Sequence, residues 1–229
     1  MNILFIAEII PAQSSPYNVV IIPLIPAIDH VSLIINYLKL INMRKLKLQM
    51  HMSLDGFVAG PEGQLDWIGS FGTDQALNDL INVLLDSCDT IILGRKTTNE
   101  IVSYWENVAN NQPDSPEYPV AQKIVQMRKI AFSRQQSSIN GKNVEVKNGD
   151  LVTAVQALKN EPGKDILVYG GAQFVSALIA NDLIDEYYLF INPIAIGSGL
   201  KIFKNRKILK LKKSISYNNG FVMNAYING

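Results

Sequence analysis

Three short stretches of the chain combine glycine, cations and hydroxyls in a way that could hold a phosphate. They are Leu93-Gly94-Arg95-Lys96-Thr97, Phe132-Ser133-Arg134 and Tyr169-Gly170-Gly171-Ala172-Gln173. Each follows or ends an apolar run, and open α/β sheets bind ligands at the carboxyl ends of their strands. Arg95, Lys96 and Arg134 supply positive charge, and Thr97 and Ser133 supply neutral donors. Gly170-Gly171 leads directly into a helical pattern, whose first free N–H groups and positive dipole end suit a pyrophosphate. Glycine also permits close backbone approach; the alternative is a tight turn with no ligand. No GxGxxG occurs, and no acidic residue stands at the distance from a glycine turn at which a Rossmann site grips a ribose hydroxyl. Basic residues near the adenosine end would instead favour a 2′-phosphate.

Other chemistries are poorly supplied. A single cysteine, Cys88, cannot form an internal disulfide or a CxxC pair, which points to a reducing cytoplasm. The two histidines, His30 and His51, have no sequence neighbours suggesting a metal site or a general base, so no metal is expected. A net charge of +1 gives no general attraction to nucleic acid or to acidic membranes. Lys207, Lys210, Lys212 and Lys213 read as protection of a sheet edge. The expected partner is therefore a small molecule.

The elements that must position these stretches follow from periodicity. Leu46, Leu48, Met50 and Met52 alternate with Lys47, Gln49 and His51, the pattern of a strand with one buried face. Residues 53–72, rich in glycine and including Pro61, form a long loop, and loops of that length inside compact domains usually carry function. Thr73 can cap a helix in which Leu77, Leu80, Ile81, Leu84 and Leu85 recur on one face. Thr90 to Leu93 forms a second strand, stopped by Gly94 and feeding a helix over Thr97 to Trp105. Pro113, Pro116 and Pro119 mark a loop. Strands follow at Lys129 to Ser133 and Asn143 to Lys147, then a helix at Asp150 to Leu158. Ile166 to Tyr169 is a strand, Ala172 to Ala180 a helix and Glu186 to Ile191 a strand. Lys207 to Tyr217 and Phe221 to Ile227 flank Asn218-Asn219-Gly220, a hairpin signal. Strands alternating with helices imply an α/β fold, a mostly parallel sheet with helices on both faces and an antiparallel end.

Residues 1–42 differ from the rest. They hold only three of the chain's charges (Glu8, Asp29, Lys39), four prolines and none of its 15 glycines. Pro23, Pro26, Asp29 and His30 interrupt the apolar runs before any reaches the roughly 18 to 20 residues of a helical span. The segment is expected to lie outside the fold, with Met43 opening the functional domain over 43–229.

Four motifs in order carry a family resemblance. They are Ser53-Leu54-Asp55-Gly56-Phe57-Val58-Ala59-Gly60-Pro61 with Leu65-Asp66-Trp67, then Gly94-Arg95-Lys96-Thr97, then Val168-Tyr169-Gly170-Gly171-Ala172, then Gly197-Ser198-Gly199-Leu200-Lys201-Ile202-Phe203. Across residues 43–227 the chain resembles the dihydrofolate reductase-like superfamily, and more closely the reductase domain of the bifunctional deaminase-reductase of riboflavin synthesis and its small single-domain relatives. The resemblance implies a three-layer fold, NADPH as cofactor, reduction of a ribosylamino-pyrimidine-like substrate, and a homodimer.

Carried over residue by residue, the resemblance places Gly94, Arg95, Lys96, Thr97, Ser133 and Arg134 around the ribose phosphate and pyrophosphate. It places Gly171, Ala172, Gln173 and Phe174 under the pyrophosphate and Trp67 near the nicotinamide, with Met52, Ala59 and Gly170 also among the cofactor-binding residues. Asp55, Asp74 and Tyr169 fall on the substrate side, the two carboxylates as catalytic candidates. Residues 53–72 would close over the nicotinamide as a lid, and the Gly170–Gly171 peptide would be cis, as in dihydrofolate reductases. The zinc deaminase signature of His-x-Glu with Pro-Cys-x-x-Cys is missing, so the deaminase half is absent. The segment before Lys129 lacks the proline-glycine-arginine of folate enzymes, and Tyr169 stands where the riboflavin enzymes carry a glutamate. The alternatives to a riboflavin-type reductase are a non-catalytic NADP-binding module and a dihydrofolate reductase.

Overall fold

A computed structural model describes residues 43–229 apart from 69, 72, 73, 136 and 137. The expected extension over 1–42 and the expected cap Thr73 lie outside the described residues. In chain order the elements are β1 (Leu46–Ser53), α1 (Gln75–Asp86), β2 (Cys88–Gly94), α2 (Arg95–Asn111), α3 (Tyr118–Gln126), β3 (Arg128–Phe132) and β4 (Val144–Lys147). They continue with α4 (Leu151–Lys159), β5 (Asp165–Gly170), α5 (Ala172–Ala180), β6 (Glu186–Asn192), β7 (Leu209–Ser216) and β8 (Val222–Asn228).

The strands form one sheet in the order β4-β3-β2-β5-β1-β6-β8-β7. From β4 to β6 every neighbouring pair is parallel, and β8 runs antiparallel between β6 and β7. The carboxyl ends of β3, β2, β5, β1 and β6 therefore share one edge of the sheet, as an α/β ligand site requires.

Alternation along the strands builds a core on each face. Leu46, Leu48, Ile92, Val168 and Tyr187 pack with Val155 and Leu158 of α4 and Val175 and Leu178 of α5. Ile91, Leu93 and Leu167 pack on the other face with Leu84 and Leu85 of α1, Trp105 and Val108 of α2, and Ala121 and Ile124 of α3. The three-layer α/β architecture with its antiparallel end is the one expected from the sequence.

Three local expectations are corrected. β1 is buried on both faces, because β5 and β6 flank it and helices cover each side. Lys47 and Gln49 are only 8% and 5% exposed, and Lys47 Nζ lies 2.7 Å from Asp165 and donates to Ser87 Oγ at 2.8 Å. A buried cation persists only when paired in this way. The second helix begins at Arg95 rather than Thr97 and continues to Asn111. Finally, the proline-marked loop contains α3, with Pro119 in the first helical turn. There the missing N–H would have had no intrahelical partner, so proline is tolerated. Among the described residues no helix is long and apolar enough to cross a membrane.

Candidate active site

The adjacent ends of β3, β2 and β5 bring the three phosphate-type stretches together. Gly94 is in register with Phe132 and Leu93 with Gly170. Two helices start at this edge without a side-chain cap, α2 after Gly94 and α5 after Gly171. By contrast, Asp74 caps α1 and Asp150 caps α4. The first N–H groups of α2 and α5 are left to other acceptors, with two dipole ends aimed at the same region.

Glycine makes this convergence possible. A Cβ on Gly94 would lie 2.7 Å from Cβ of Phe174, and one on Gly171 would lie 3.2 Å from Thr97 Oγ1 and 3.4 Å from Cα of Gly94. Phe174 in turn stacks on Phe132 with ring centroids 5.2 Å apart. Gly170 and Gly171 turn the chain with φ of 153° and 89°, values that side chains disfavour. Their peptide is trans, which corrects the expected cis bond: the two positive φ angles make the turn by themselves.

Around this cradle the expected residues divide by role. Arg95 and Lys96 are exposed in the first turn of α2, not in a loop. Thr97 and Thr98 each donate a hydroxyl hydrogen bond to Gly94 O at 3.0 Å, so Thr97 braces the turn. Ser133 is buried just past β3, its N–H donating to Lys147 O at 3.1 Å, and Arg134 beside it is exposed. Ala172 is half-buried and Gln173 exposed at the start of α5.

The long loop after β1 is fastened to the segment after β6. Val58 N donates to Leu200 O and Leu200 N to Ala59 O, both at 2.9 Å. A Cβ on Gly199 would fall 2.1 Å from Ala59 O, so only glycine fits there. Asp55 completes the fastening. Its Oδ1 accepts from Ser53 Oγ at 2.6 Å and Ile196 N at 3.2 Å, and its Oδ2 accepts from Gly197 N at 2.7 Å. The Ser53 hydrogen bond foremost, with the two amides, holds this carboxyl below the usual carboxylate range. Met52, Ala59 and Trp67 are all buried, and Trp67 Nε1 has no hydrogen-bond partner among the described residues. A buried donor left unpaired costs about 1 to 3 kcal/mol, so the indole is a place where a ligand acceptor would be repaid.

Asp74 also spends its carboxylate on the backbone. Oδ1 accepts from Leu77 N at 3.2 Å and Oδ2 from Asn218 N at 3.0 Å, tying α1 to the β7–β8 turn. The two carboxylates expected to work on substrate are thus both engaged with backbone amides. Tyr169, half-buried at the end of β5, meets Trp105 edge-on at 6.3 Å. Burial raises its phenol pKa well above the usual value.

A pair that sequence reasoning missed sits at the ends of β1 and β6. His51 stacks on its register neighbour Phe190 at 5.3 Å and meets Phe221 edge-on at 6.0 Å. Asn192 is completely buried and donates through Nδ2 to Met52 O and Phe190 O, each at 3.0 Å, with His51 Nδ1 at 3.5 Å. Burial pushes the imidazole pKa down to about 4. The signal available in the sequence was the polar series Lys47, Gln49, His51; nothing there tied it to Asn192.

The RibD C-terminal domain family matches residues 44–223, from the start of β1 into β8. The chain belongs to the RibD C-terminal domain family. YyaP of Bacillus subtilis is 31% identical over 189 residues, covering 81% of this chain and 96% of that protein. The riboflavin biosynthesis protein RibD of Corynebacterium ammoniagenes is 24% identical over 180 residues, covering 74% of this chain and 49% of RibD. The chain thus spans about half the length of that relative.

Solved structures agree on the fold of this RibD C-terminal domain. The deaminase/5-amino-6-(5-phosphoribosylamino)uracil reductase of Thermotoga maritima superposes with a TM-score of 0.58 at 15% identity, covering 86% of this chain and 60% of that one. Dihydrofolate reductase of Enterococcus faecalis, solved with NADP(H), gives a TM-score of 0.53 at 15% identity, covering 81% and 96%. The dihydrofolate reductase-like fold expected from the four motifs is the one observed. A depression of about 600 Å³ between the end of α5 and residues 202–208 contains none of the residues expected to hold a nucleotide.

Proposed function

We propose that this domain is an NADPH-dependent reductase of the riboflavin-synthesis type. It transfers a hydride to a C=N or C=O carbon of a ribosylamino-pyrimidine-like substrate, of the kind named for the Thermotoga protein. The observation that carries the reading is the meeting of two uncapped helix N-termini at Gly94 and Gly171. Such paired, side-chain-free N-termini suit a pyrophosphate. The NADP(H)-bound dihydrofolate reductase with the same fold supports the choice of nucleotide.

The residues fit that group. In this reading the first N–H groups of α2 and α5 hold the pyrophosphate, and Arg95, Lys96, Ser133 and Arg134 grip a 2′-phosphate. Met52, Ala59 and Trp67 border the nicotinamide, with Trp67 Nε1 offering its unpaired donor. The cofactor supplies the hydride. The protein's part is to orient donor and acceptor and to exclude water. The loop over residues 53–72 does the excluding, and Asp55 positions it by gripping the amides of Ile196 and Gly197. Asp74 positions α1 against the β7–β8 turn, and Tyr169 lines the substrate side.

The test is turnover. The full chain is mixed with NADPH and 5-amino-6-(5-phosphoribosylamino)uracil, and loss of nicotinamide absorbance is followed. Oxidation of NADPH that depends on the pyrimidine supports the reading. NADPH binding without oxidation would favour instead a non-catalytic nucleotide-binding module.

A further inference from the structure

The orientation of the Asn192 amide determines which nitrogen of His51 carries the proton. Two backbone carbonyls, Met52 O and Phe190 O, both accept from Nδ2, so the NH2 side of the amide is fixed. That side also faces His51 Nδ1. Both hydrogens of this NH2 go to the carbonyls and it cannot accept, which disfavours a proton on Nδ1 and assigns the proton of a neutral imidazole to Nε2. Nε2 makes no hydrogen bond to any described residue, and the same amide leaves Asn192 Oδ1 buried without a partner.

The surroundings suit a flat ring. Phe190 and Phe221 contact the imidazole, Phe71 meets Phe221 edge-on at 5.9 Å, and Tyr217 packs into the same cluster with its hydroxyl buried and unpartnered among the described residues. Aromatic walls with a few unmade polar bonds are the composition of a site for a planar, polar-edged molecule. Met52, the next residue of β1, points to the opposite face, into the core beneath α4 and α5.

We propose that His51 is a substrate-binding residue, a neutral donor that gives its Nε2–H to a carbonyl oxygen of an uncharged, planar heterocycle, with Asn192 as the positioning residue that fixes its tautomer. The proposal rests on the reading of the domain as a pyrimidine-type reductase. It adds that the ring is recognised through an acceptor and without a cationic side chain.

The experiment uses the full chain with 15N-labelled histidine and 5,6-diaminouracil as the probe, without nucleotide. Long-range 1H–15N correlation reads the tautomer, and titration reads the affinity of wild type, His51→Phe and His51→Gln. The expected result is a proton on Nε2, an Nε2 resonance that moves as 5,6-diaminouracil is added, and about tenfold weaker binding in His51→Phe. His51→Gln, which keeps a donor, restores binding to within about threefold of wild type. A proton on Nδ1, an unmoved Nε2 resonance, or equal affinity in His51→Phe would overturn the proposal. Thermal midpoints of both variants separate loss of binding from loss of fold. NADPH binding is measured separately on the same samples, so its failure strikes the reductase reading and leaves the histidine result to be judged alone.

Discussion

Cα of Gly94 lies 3.4 Å from the place a Cβ would occupy on Gly171, so the starts of α2 and α5 meet with no side chain between them. In the proposed reading, this contact lets two helix dipoles act on one anion. The glycines are required by geometry rather than by flexibility. Gly94→Ala would push a methyl to within 2.7 Å of Phe174 Cβ. Overpacking of this kind costs about 1 to 3 kcal/mol, and here the strain falls on the cradle itself. Gly94→Ala is expected to lower the thermal midpoint and to weaken NADPH by about tenfold or more. A variant that binds NADPH like wild type would show that the cradle does not hold the nucleotide.

The cations at the edge should decide between the two nicotinamide nucleotides. A charge-assisted hydrogen bond contributes about 1.5 to 3 kcal/mol. Arg134→Ala and Arg95→Ala should each weaken NADPH by about tenfold while leaving NADH almost unchanged, with the NADPH effect shrinking at high salt. Equal losses for both nucleotides in a fluorescence titration would move these residues away from the 2′-phosphate.

In the proposed reading Asp74 acts on the fold, and that role is measurable. Removing a helix cap costs about 1 kcal/mol, and Asp74→Ala also frees Asn218 N. Chemical denaturation should show a loss of that order, similar to the loss in Asp150→Ala, which removes the Thr153 cap of α4. Turnover per folded molecule should change little. A large fall in turnover with unchanged stability would return Asp74 to the chemistry.

Stability should depend on acid through His51. Its folded pKa of about 4 lies below the ordinary 6.5, so between those values the unfolded chain binds more protons than the folded one. Stability therefore rises with pH across that window and is lost as pH falls from 6.5 towards 4. The linked loss is about 3 kcal/mol at most, at 1.36 kcal/mol per pKa unit. His51→Gln should flatten that part of the pH profile in urea unfolding. An unchanged slope would mean that the imidazole titrates in the folded chain as it does in the unfolded one.

The sheet was legible because its strands and helices are short, periodic and bounded by glycine. Leu77, Leu84 and Leu85 of α1, Ile91 to Leu93 of β2, and the Asn-Gly turn before β8 all act locally, and local signals survive in a sequence. The helix α3 was hidden because Pro113, Pro116 and Pro119 signal a loop, although Pro119 suits a first helical turn. The burial of Lys47 could not be read from alternation, since it depends on β1 lying between β5 and β6. The same limit governs the site. Gly94, Gly171 and the two cations beside Thr97 announce themselves by type and spacing. Asp55 with Gly197, and His51 with Asn192, are pairs separated by 142 and 141 residues, joined only when β6 comes to lie beside β1.

The most direct test of the account is titration of the full chain with NADPH and with NADH, followed by nicotinamide fluorescence and thermal midpoint. The account predicts saturable NADPH binding that raises the midpoint, with NADH weaker by about tenfold or more. Absence of binding by either nucleotide, or equal affinity for both, would contradict it.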